Sequence, residues 1–398
     1  MQYAHWAYGC FMNIKILLII AALSAFGPLA VDFYLPSFPA MAQAFDTDVG
    51  HIQHSLSIYF LGLALGQIIY GPLADRFGRR VPMLIGVGLF CLSSLACAFA
   101  QNLEWLVGLR LAQALGGCAG MVIGRAVTRD LCDPVNSAKV FSQLMLIMGA
   151  APMLAPVGGA ALLKYFGWES IFICLAVFSG LCWLAVLIAL PETLDKSVPP
   201  APLLSAIGSY QSLLLDRTFM GYVLSGGMAM AAKFAYISGS PFVLIELFDL
   251  SPESYGWIFG LNAAGFVLGA QINTRLLKYQ SPDYWLIRVV WLFSALCAAP
   301  IVSLVLWPTN PWPIVASLAL ALSVLGLIIP NAMVGAMAPH GRIAGSASAL
   351  MGSLQFSLAA SASMAVALLH NHTAWPMLGV MLVCALASLA ATYLTQKT

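Results

Sequence analysis

Three charged residues lie inside long apolar stretches of the chain. Asp32 ends an apolar run that begins at Ile14, Arg110 follows Trp105 by five positions, and Lys233 is flanked by alanine and phenylalanine. A charge in a bilayer interior costs roughly 2.5–3.5 kcal/mol on insertion scales, so each is a candidate for function. Low-dielectric surroundings penalise a charged carboxylate, which can then take up and release a proton. Asp32 is therefore the candidate proton-carrying group.

The depths of these residues indicate which of them meet. At 1.5 Å per residue, Asp32 lies roughly 10 Å and Arg110 roughly 8 Å below the outer surface. We expect them to pair when Asp32 is ionised and to separate when it is protonated, unless the pair is permanent and structural. Lys233 is too deep to reach a surface. It either favours neutral or anionic ligands or is a second partner for Asp32.

The composition places these residues in a membrane. The 398 residues are 61% hydrophobic and only 8% charged, with a mean hydropathy of +0.91. A membrane helix needs roughly 20 apolar residues, so we predict an all-α membrane protein with twelve transmembrane helices and no soluble domain. The net charge of +2 gives no reason to expect a nucleic-acid partner. The predicted spans are 14–39, 52–71, 81–100, 105–126, 138–163, 169–190, 218–247, 254–277, 284–307, 313–337, 343–369 and 374–394.

The basic residues orient the chain. With the N-terminus inside, only Lys164 of the 17 lysines and arginines falls outside, Arg110 and Lys233 lie within spans, and fourteen fall on the cytoplasmic side. This bias predicts a multi-pass protein with both termini cytoplasmic. The fourteen are Lys15, Arg76, Arg79, Arg80, Arg125, Arg129, Lys139, Lys196, Arg217, Arg275, Lys278, Arg288, Arg342 and Lys397.

A proline-rich connection divides the spans into two sets of six. We predict an N-terminal half at residues 1–190, a cytoplasmic linker at 191–217 and a C-terminal half at 218–398, with the linker acting as a flexible tether. A weak repeat supports this division: Gly269 to Arg275 echoes the segment from Gly71, with Asn273 where Asp75 would be. Two such halves are typical of transporters built from parallel repeats.

The most specific motif is the charged loop between spans two and three. Its sequence is Gly-Pro-Leu-Ala-Asp-Arg-Phe-Gly-Arg-Arg, residues 71–80. It resembles the G-x-L-A-D-R-x-G-R-R loop of the major facilitator superfamily. The glycines predict a tight turn and close helix approach, and Asp75 could cap a helix N-terminus. The resemblance implies a conformational latch formed by Gly71, Asp75, Arg76, Gly78, Arg79 and Arg80.

Three further motifs resemble those of drug:proton antiporters in this superfamily. Asp32 begins a D-x-x-x-P-x-x-P pattern like that of the first span, and Arg110 begins an R-x-x-Q-x-x-G pattern like that of the fourth, where the arginine is implicated in proton coupling. Span five resembles the G-P-x-x-G-G antiporter motif, with Ala155 in place of the first glycine. Its prolines predict a kinked helix. The antiporter-motif residues are Pro152, Pro156, Gly158 and Gly159.

The whole chain resembles the Bcr/CflA subfamily of bicyclomycin and chloramphenicol resistance proteins. The resemblance implies efflux of small antibiotics across the bacterial inner membrane by alternating access, driven by protons, with no cofactor and no bound metal. The predicted partners are a small-molecule drug or metabolite, protons and the lipid bilayer, and a monomer suffices. The predicted substrate cavity is lined by Tyr34, Tyr59, Lys233, Phe234 and Tyr236.

Two alternatives remain open at this point. Lys233 and the imperfect span-five motif are compatible with a proton-coupled carrier that imports or exports an amphiphilic metabolite. Enzyme motifs such as a Walker loop or H-E-x-x-H are absent from the sequence.

Four histidines flank spans two and eleven on the predicted outer side, where they suggest either a zinc site or a gate that loosens near pH 6. They are His51, His54, His370 and His372.

Overall fold

The chain folds as a bundle of long helices. The computed structural model describes residues 13–132, 134–194 and 203–395, without the side chains of 134–139, 141–143, 145–150, 203–207, 341 and 342. These described residues contain helices and turns but no strand. The predicted all-α class is therefore confirmed. Residues 1–11 and residues 195–202 of the Pro-rich tether lie outside the described part.

The first half begins with a broken span and continues with five long helices. Its elements are α1 (Ile14–Ser24), α2 (Phe26–Asp32), α3 (Phe38–Ala44), α4 (Val49–Phe77), α5 (Arg80–Cys97), α6 (Leu103–Leu131), α7 (Pro134–Phe166) and α8 (Glu169–Ala189). A 3₁₀ turn, Leu35–Ser37, lies between α2 and α3.

The second half contains six long helices. They are α10 (Arg217–Pro241), α11 (Pro252–Leu276), α12 (Pro282–Leu306), α13 (Pro311–Met337), α14 (Ala344–Leu368) and α15 (Trp375–Thr395). A π-helical turn, Phe242–Leu247, extends α10, and a 3₁₀ segment, Ala338–Ile343, joins α13 to α14. Between the halves lies α9 (Leu203–Leu215), a helix within the predicted linker.

Ten helical segments in the described part are long and apolar enough to cross a membrane, with α1 to α3 counted as one. Two more long helices, α7 and α11, complete a set of twelve long segments among the described residues, at the places where hydropathy predicts twelve spans. A helix, α9, forms in the described C-terminal part of the predicted linker, and the tether role of the linker stays a prediction. The proposed boundaries of the halves stay a prediction.

The first span departs from the single helix that we predict. It continues to Ala44, five residues beyond the expected end, and it breaks at two places. A proline removes the hydrogen bond to the carbonyl four residues earlier and clashes with it. For Pro28 that carbonyl is on Ser24, where α1 ends, and for Pro36 it is on Asp32, where α2 ends. The prolines thus place Asp32 at a helix break.

The two halves pack against each other along two helix pairs. Helix α4 contacts α14, and α7 contacts α11. Ser57 of α4 donates a hydrogen bond to Ser363 of α14 at 2.8 Å, and Lys164 pairs with Glu253 at 2.9 Å. These helix pairs hold the halves together. If the protein alternates between inward-open and outward-open states, the groups that lie between the halves must separate.

The weak repeat corresponds to equivalent positions near the ends of α4 and α11. Asp75 in α4 pairs with Arg79, whereas Asn273 in α11 is buried and exchanges two amide hydrogen bonds with Asn331, at 3.2 and 2.9 Å. A neutral amide pair replaces a charge pair, so the second half lacks the ionic cluster of the first.

Candidate functional site

Asp32 lies at the boundary between the halves. It is the last residue of α2 and is only 4% exposed. No described side chain or backbone group hydrogen-bonds its carboxylate within 3.5 Å. Its negative charge acts instead on Lys233, and also on tyrosines from both halves: Tyr59, Tyr236 and Tyr255. A buried carboxylate without hydrogen bonds is costly in its charged form, so Asp32 is poised to bind a proton.

Lys233 is the cation that faces Asp32. It lies on α10 in the second half, and the electrostatic interaction between the two is mutual. They do not form an ion pair within 4.0 Å. The Lys233 ammonium lies 4.9 Å from the ring centroid of Phe266, within the range of a cation–π contact. The next residue, Phe234, packs edge-on against Phe60 of the first half, with centroids 4.2 Å apart.

Arg110 occupies an aromatic cage in the first half. Its side chain is fully buried, and the central guanidinium carbon lies 4.2 Å from the ring centroid of Tyr59 and 4.6 Å from that of Tyr34. The guanidinium donates hydrogen bonds to the carbonyl of Ala30 at 2.9 Å and to the side chain of Gln113. These acceptors and rings fix the orientation of the guanidinium.

The expected pairing of Asp32 with Arg110 is not present in this structure. Arg110 forms no ion pair with any described residue. Its guanidinium donates instead to the Ala30 carbonyl and the Gln113 side chain. Equal depth along two helices did not place the two charges face to face. Lys233 interacts electrostatically with Asp32, and both alternatives for its role stay predictions.

The predicted cavity tyrosines are buried members of polar networks. Tyr34 hydrogen-bonds Ser55 at 2.5 Å, and Tyr236 accepts a hydrogen bond from Asn262 at 2.8 Å. The Tyr59 hydroxyl is buried and has no partner among the described groups. Tyr34 and Tyr59 contact Arg110, whereas Tyr236 interacts electrostatically with Asp32. The five residues thus divide between the Arg110 cage and the boundary near Asp32.

Helix α7, which carries the antiporter motif, packs closely against Phe33, the residue after Asp32. A Cβ on Gly159 would collide with the backbone carbonyl of Phe33, and one on Gly158 would lie 3.0 Å from the Phe33 ring. On the opposite side, Cβ atoms on Gly256 and Gly260 of α11 would lie 3.1 and 2.7 Å from carbonyl oxygens of α7. The small residues therefore let α7 pass closely between Phe33 and the second half.

The charged loop between α4 and α5 forms the predicted turn, but with different partners. Gly78 has a φ of 89°, a region that favours glycine. The carboxylate that caps α5 is that of Glu192, which accepts hydrogen bonds from the backbone of Arg79 at 2.8 Å and of Arg80 at 3.2 Å. Burial works to raise the pKa of Glu192, but these backbone hydrogen bonds outweigh it and lower the pKa.

Two expectations about this loop are wrong. Asp75 does not cap α5, because its carboxylate pairs with the side chain of Arg79. Gly71 does not provide close helix approach, because a Cβ there would have no described atom within 4 Å. Arg76 lies on the surface, over the ring of Phe77. The latch role of this loop stays a prediction.

Sequence reasoning missed two acidic residues of this cluster. Asp130 at the end of α6 accepts a hydrogen bond from Arg79 at 2.9 Å and another from Thr193 at 3.1 Å. Glu192 follows α8. The signal that could have found both is their position: each is an acidic residue at or just after the end of a span, on the side rich in basic residues.

The four histidines meet at the opposite end of the molecule, which the charge distribution predicts to face outside and which we call the outer end. Asp48 caps α4 and pairs with His51 at 3.0 Å. The His370 ring lies against Gly50 and stacks edge-on with Phe242 and His372. Within the described residues no three potential ligands lie close enough to hold a metal ion. Of the four, His370 contacts the other half, at Gly50.

The helices and the buried charges together define a class of protein. The described part contains ten segments fit to cross a membrane, two packed halves and a carboxylate enclosed between them. This is the organisation of a membrane transporter with its binding region between two repeats.

The family follows from comparison with known proteins. The sequence matches the Major Facilitator Superfamily over residues 17–364. It is 35% identical to an uncharacterized transporter of this type from Bacillus subtilis (strain 168), over 95% of each chain. It is 29% identical to a bicyclomycin resistance protein homolog of Haemophilus influenzae, again over 95% of each, and 28% identical to a chloramphenicol resistance protein of Pseudomonas aeruginosa, over 93% of this chain and 87% of the relative.

Solved structures agree in fold. The D-xylose-proton symporter superposes with a TM-score of 0.73 at 14% identity, covering 94% of this chain and 97% of the symporter. The chain belongs to the major facilitator superfamily and is a transporter, not an enzyme. The similarity to drug-resistance proteins of the Bcr/CflA type, predicted from the motifs, is confirmed.

Proposed function

We propose that this transporter exports small drugs across the bacterial inner membrane in exchange for protons, by alternating access. The observation that carries the proposal is the Asp32 carboxylate, buried between the halves, without a hydrogen bond from the described residues and opposite Lys233. Relatives named for resistance to bicyclomycin and chloramphenicol support an antibiotic as cargo. We further propose a monomer with cytoplasmic termini that needs no cofactor.

Proton binding at Asp32 links the proton to the movement of the halves. When the carboxylate is charged, it attracts Lys233 across the boundary and favours the state in which the halves meet there. A proton from outside neutralises the carboxylate and removes this attraction. In the inward-open state the proton is released to the cytoplasm and the drug binds. The charged, drug-loaded carrier then opens outward, where the next proton binds Asp32 and the drug leaves. Each charge that moves inward supplies roughly 2.3 kcal/mol per 100 mV of membrane potential.

Arg110 acts on this step through the backbone. Its guanidinium holds the carbonyl of Ala30, two residues before Asp32, and so fixes the end of α2. We therefore assign Arg110 a positioning role in proton coupling.

Asp32→Asn tests the proposal. In proteoliposomes with an imposed pH gradient, we expect the wild-type protein to move a phenicol, a sulfonamide or bicyclomycin against the direction of proton flow. The substituted amide keeps the shape of the side chain but cannot exchange a proton, so gradient-driven transport should be lost. Asp249→Asn is the matched control, because Asp249 is exposed near the end of the π-helical turn.

Two results would overturn this assignment. Full gradient-driven transport by Asp32→Asn would remove Asp32 from the coupling step. Substrate movement in the same direction as protons would favour the alternative function, a proton-coupled metabolite carrier.

A further inference from the structure

We infer that Lys233 sets the charge class of the substrate, so that the carrier accepts neutral or anionic compounds and rejects permanent cations. This inference rests on the proposed drug transport and names the kind of drug that the site between the halves would take. It depends on the positive charge of Lys233, which interacts with Asp32, and on the lack of a hydrogen bond from the Lys233 ammonium to any described group.

Lys233 is a fixed cation where α10 meets the first half, since the next residue, Phe234, packs against Phe60 with ring centroids 4.2 Å apart. Its charge and that of Asp32 act on each other across the boundary between α2 and α10. A drug cation drawn to the carboxylate would have to displace a cation that is covalently fixed to the protein. A like charge placed beside Lys233 in a poorly solvated region is strongly unfavourable.

The interior as a whole adds to this effect. In the described spans, the side chains that are charged and lie away from both ends are Asp32, Arg110 and Lys233, two positive and one negative. Arg125, nearer the basic end of α6, adds a third positive charge. The net charge of these interior groups therefore remains positive when Asp32 is ionised, and it becomes more positive when Asp32 is protonated.

The Lys233 ammonium is available to a ligand. It makes no hydrogen bond to a described group, and the side chain is half-buried, not enclosed. Its nearest described partners are ring faces, at 4.9 Å for Phe266 and 5.9 Å for Phe234. An ammonium carries three donors and no acceptor. It can therefore bind the carbonyl, nitro, sulfonyl or carboxylate oxygens of a ligand whose apolar body rests on the rings.

Lys233→Met and Lys233→Arg test the inference by equilibrium binding to the purified protein. The probes are chloramphenicol as the neutral compound, a sulfonamide at a pH where it is an anion, and tetraphenylphosphonium as the permanent cation. We expect the wild type to bind tetraphenylphosphonium at least about tenfold more weakly than chloramphenicol. Lys233→Met should strengthen cation binding and weaken anion binding, each by about tenfold. Lys233→Arg should keep the wild-type order.

Lys278→Met, at an exposed position after α11, is the control and should change none of these affinities. The inference fails if the wild type binds the cation as tightly as the neutral compound, or if Lys233→Arg behaves like Lys233→Met. The wild-type comparison and Lys233→Arg decide the question even if Lys233→Met does not fold. Failure of the proposed function would look different: the binding order would hold, but no compound would move in response to a proton gradient.

Discussion

At the scale of single residues, the geometry around Arg110 explains why a charge can be fully buried without an acidic partner. Its planar guanidinium has a backbone carbonyl and an amide oxygen as acceptors, and aromatic faces cover it. Arginine is suited to this place because its fork can bond two acceptors while its plane lies against rings. The charge is thus stabilised inside one half, which leaves Asp32 free to interact with the other.

Arg110→Lys tests this explanation. Lysine keeps the charge but cannot reach Ala30 and Gln113 together, so a buried acceptor would lose its hydrogen bond. We expect a loss of about 1–3 kcal/mol of stability, measured by thermal unfolding in detergent, together with reduced transport. Arg129→Lys, on the exposed surface of the same helix, should leave both unchanged. Unaltered stability of Arg110→Lys would mean that the cage does not depend on the planar group.

At the scale of elements, α7 connects the two halves through its small residues. One side passes the backbone of Phe33, next to Asp32, and the other passes the glycines of α11. A shift of α7 would therefore move the chain next to Asp32 and change the contact between the halves at the same time. This gives the G-P-x-x-G-G-like motif a physical role: it lets one helix contact both Phe33, next to Asp32, and the opposite half.

Gly159→Ala tests the close approach. The added methyl group would meet the Phe33 carbonyl, and the chain at Asp32 would have to move. Overpacking of this kind typically costs about 1–3 kcal/mol, and transport should fall more than drug binding. Gly379→Ala in α15 is the matched control, since no described atom lies within 4 Å of its Cβ position. Normal transport by Gly159→Ala would show that Asp32 tolerates displacement.

At the scale of the whole molecule, the outer ends of the two halves meet through titratable groups. The titratable groups that act on His370 are Asp48 and His51 of the first half and His372 on its own loop. His54 interacts with His51 and Asp48, and Glu246 interacts with His372 and Asp48. Burial lowers the pKa of His370 most, and the charges of His372 and His51 lower it further, while Asp48 opposes them. His370 therefore prefers to be neutral while this contact is closed.

This preference predicts that acid opens the outer end. If His370 has its ordinary pKa of about 6.5 when the contact is open, the open state binds more protons than the closed one. The closed state keeps its full stability above about pH 6.5 and loses it progressively as the pH falls below that value. Spin labels at positions 104 and 309, exposed at the outer ends of the two halves, should report longer distances at pH 5.5 than at pH 7.5.

His370→Gln should make that distance independent of pH, because glutamine does not titrate in this range. His340→Gln, at the opposite end where His340 pairs with Asp216 at 3.3 Å, should retain the pH response. A pH response that survives in His370→Gln would assign it to another of the outer groups.

The sequence by itself determined the class and the charges that lie inside the spans, and it predicted the orientation of the spans. Long apolar segments, basic residues on one side and a ten-residue loop motif are local signals, because each depends on residues close together in the chain. The prolines at 28 and 36 also specify the breaks around Asp32, although hydropathy alone passes over them. The acidic residues at 130 and 192 were missed because a single carboxylate at the end of a span has no local pattern.

Only the tertiary structure decided which charges face one another. Asp32 and Arg110 have similar depth, and sequence reasoning paired them for that reason, but depth does not fix the direction in which a side chain points around its helix. The fold holds Arg110 in an aromatic cage within its own half. Asp32 interacts electrostatically with Lys233 of the other half instead. Contacts between segments two hundred residues apart depend on how helices rotate and pack, and that arrangement is not encoded in any one stretch of the chain.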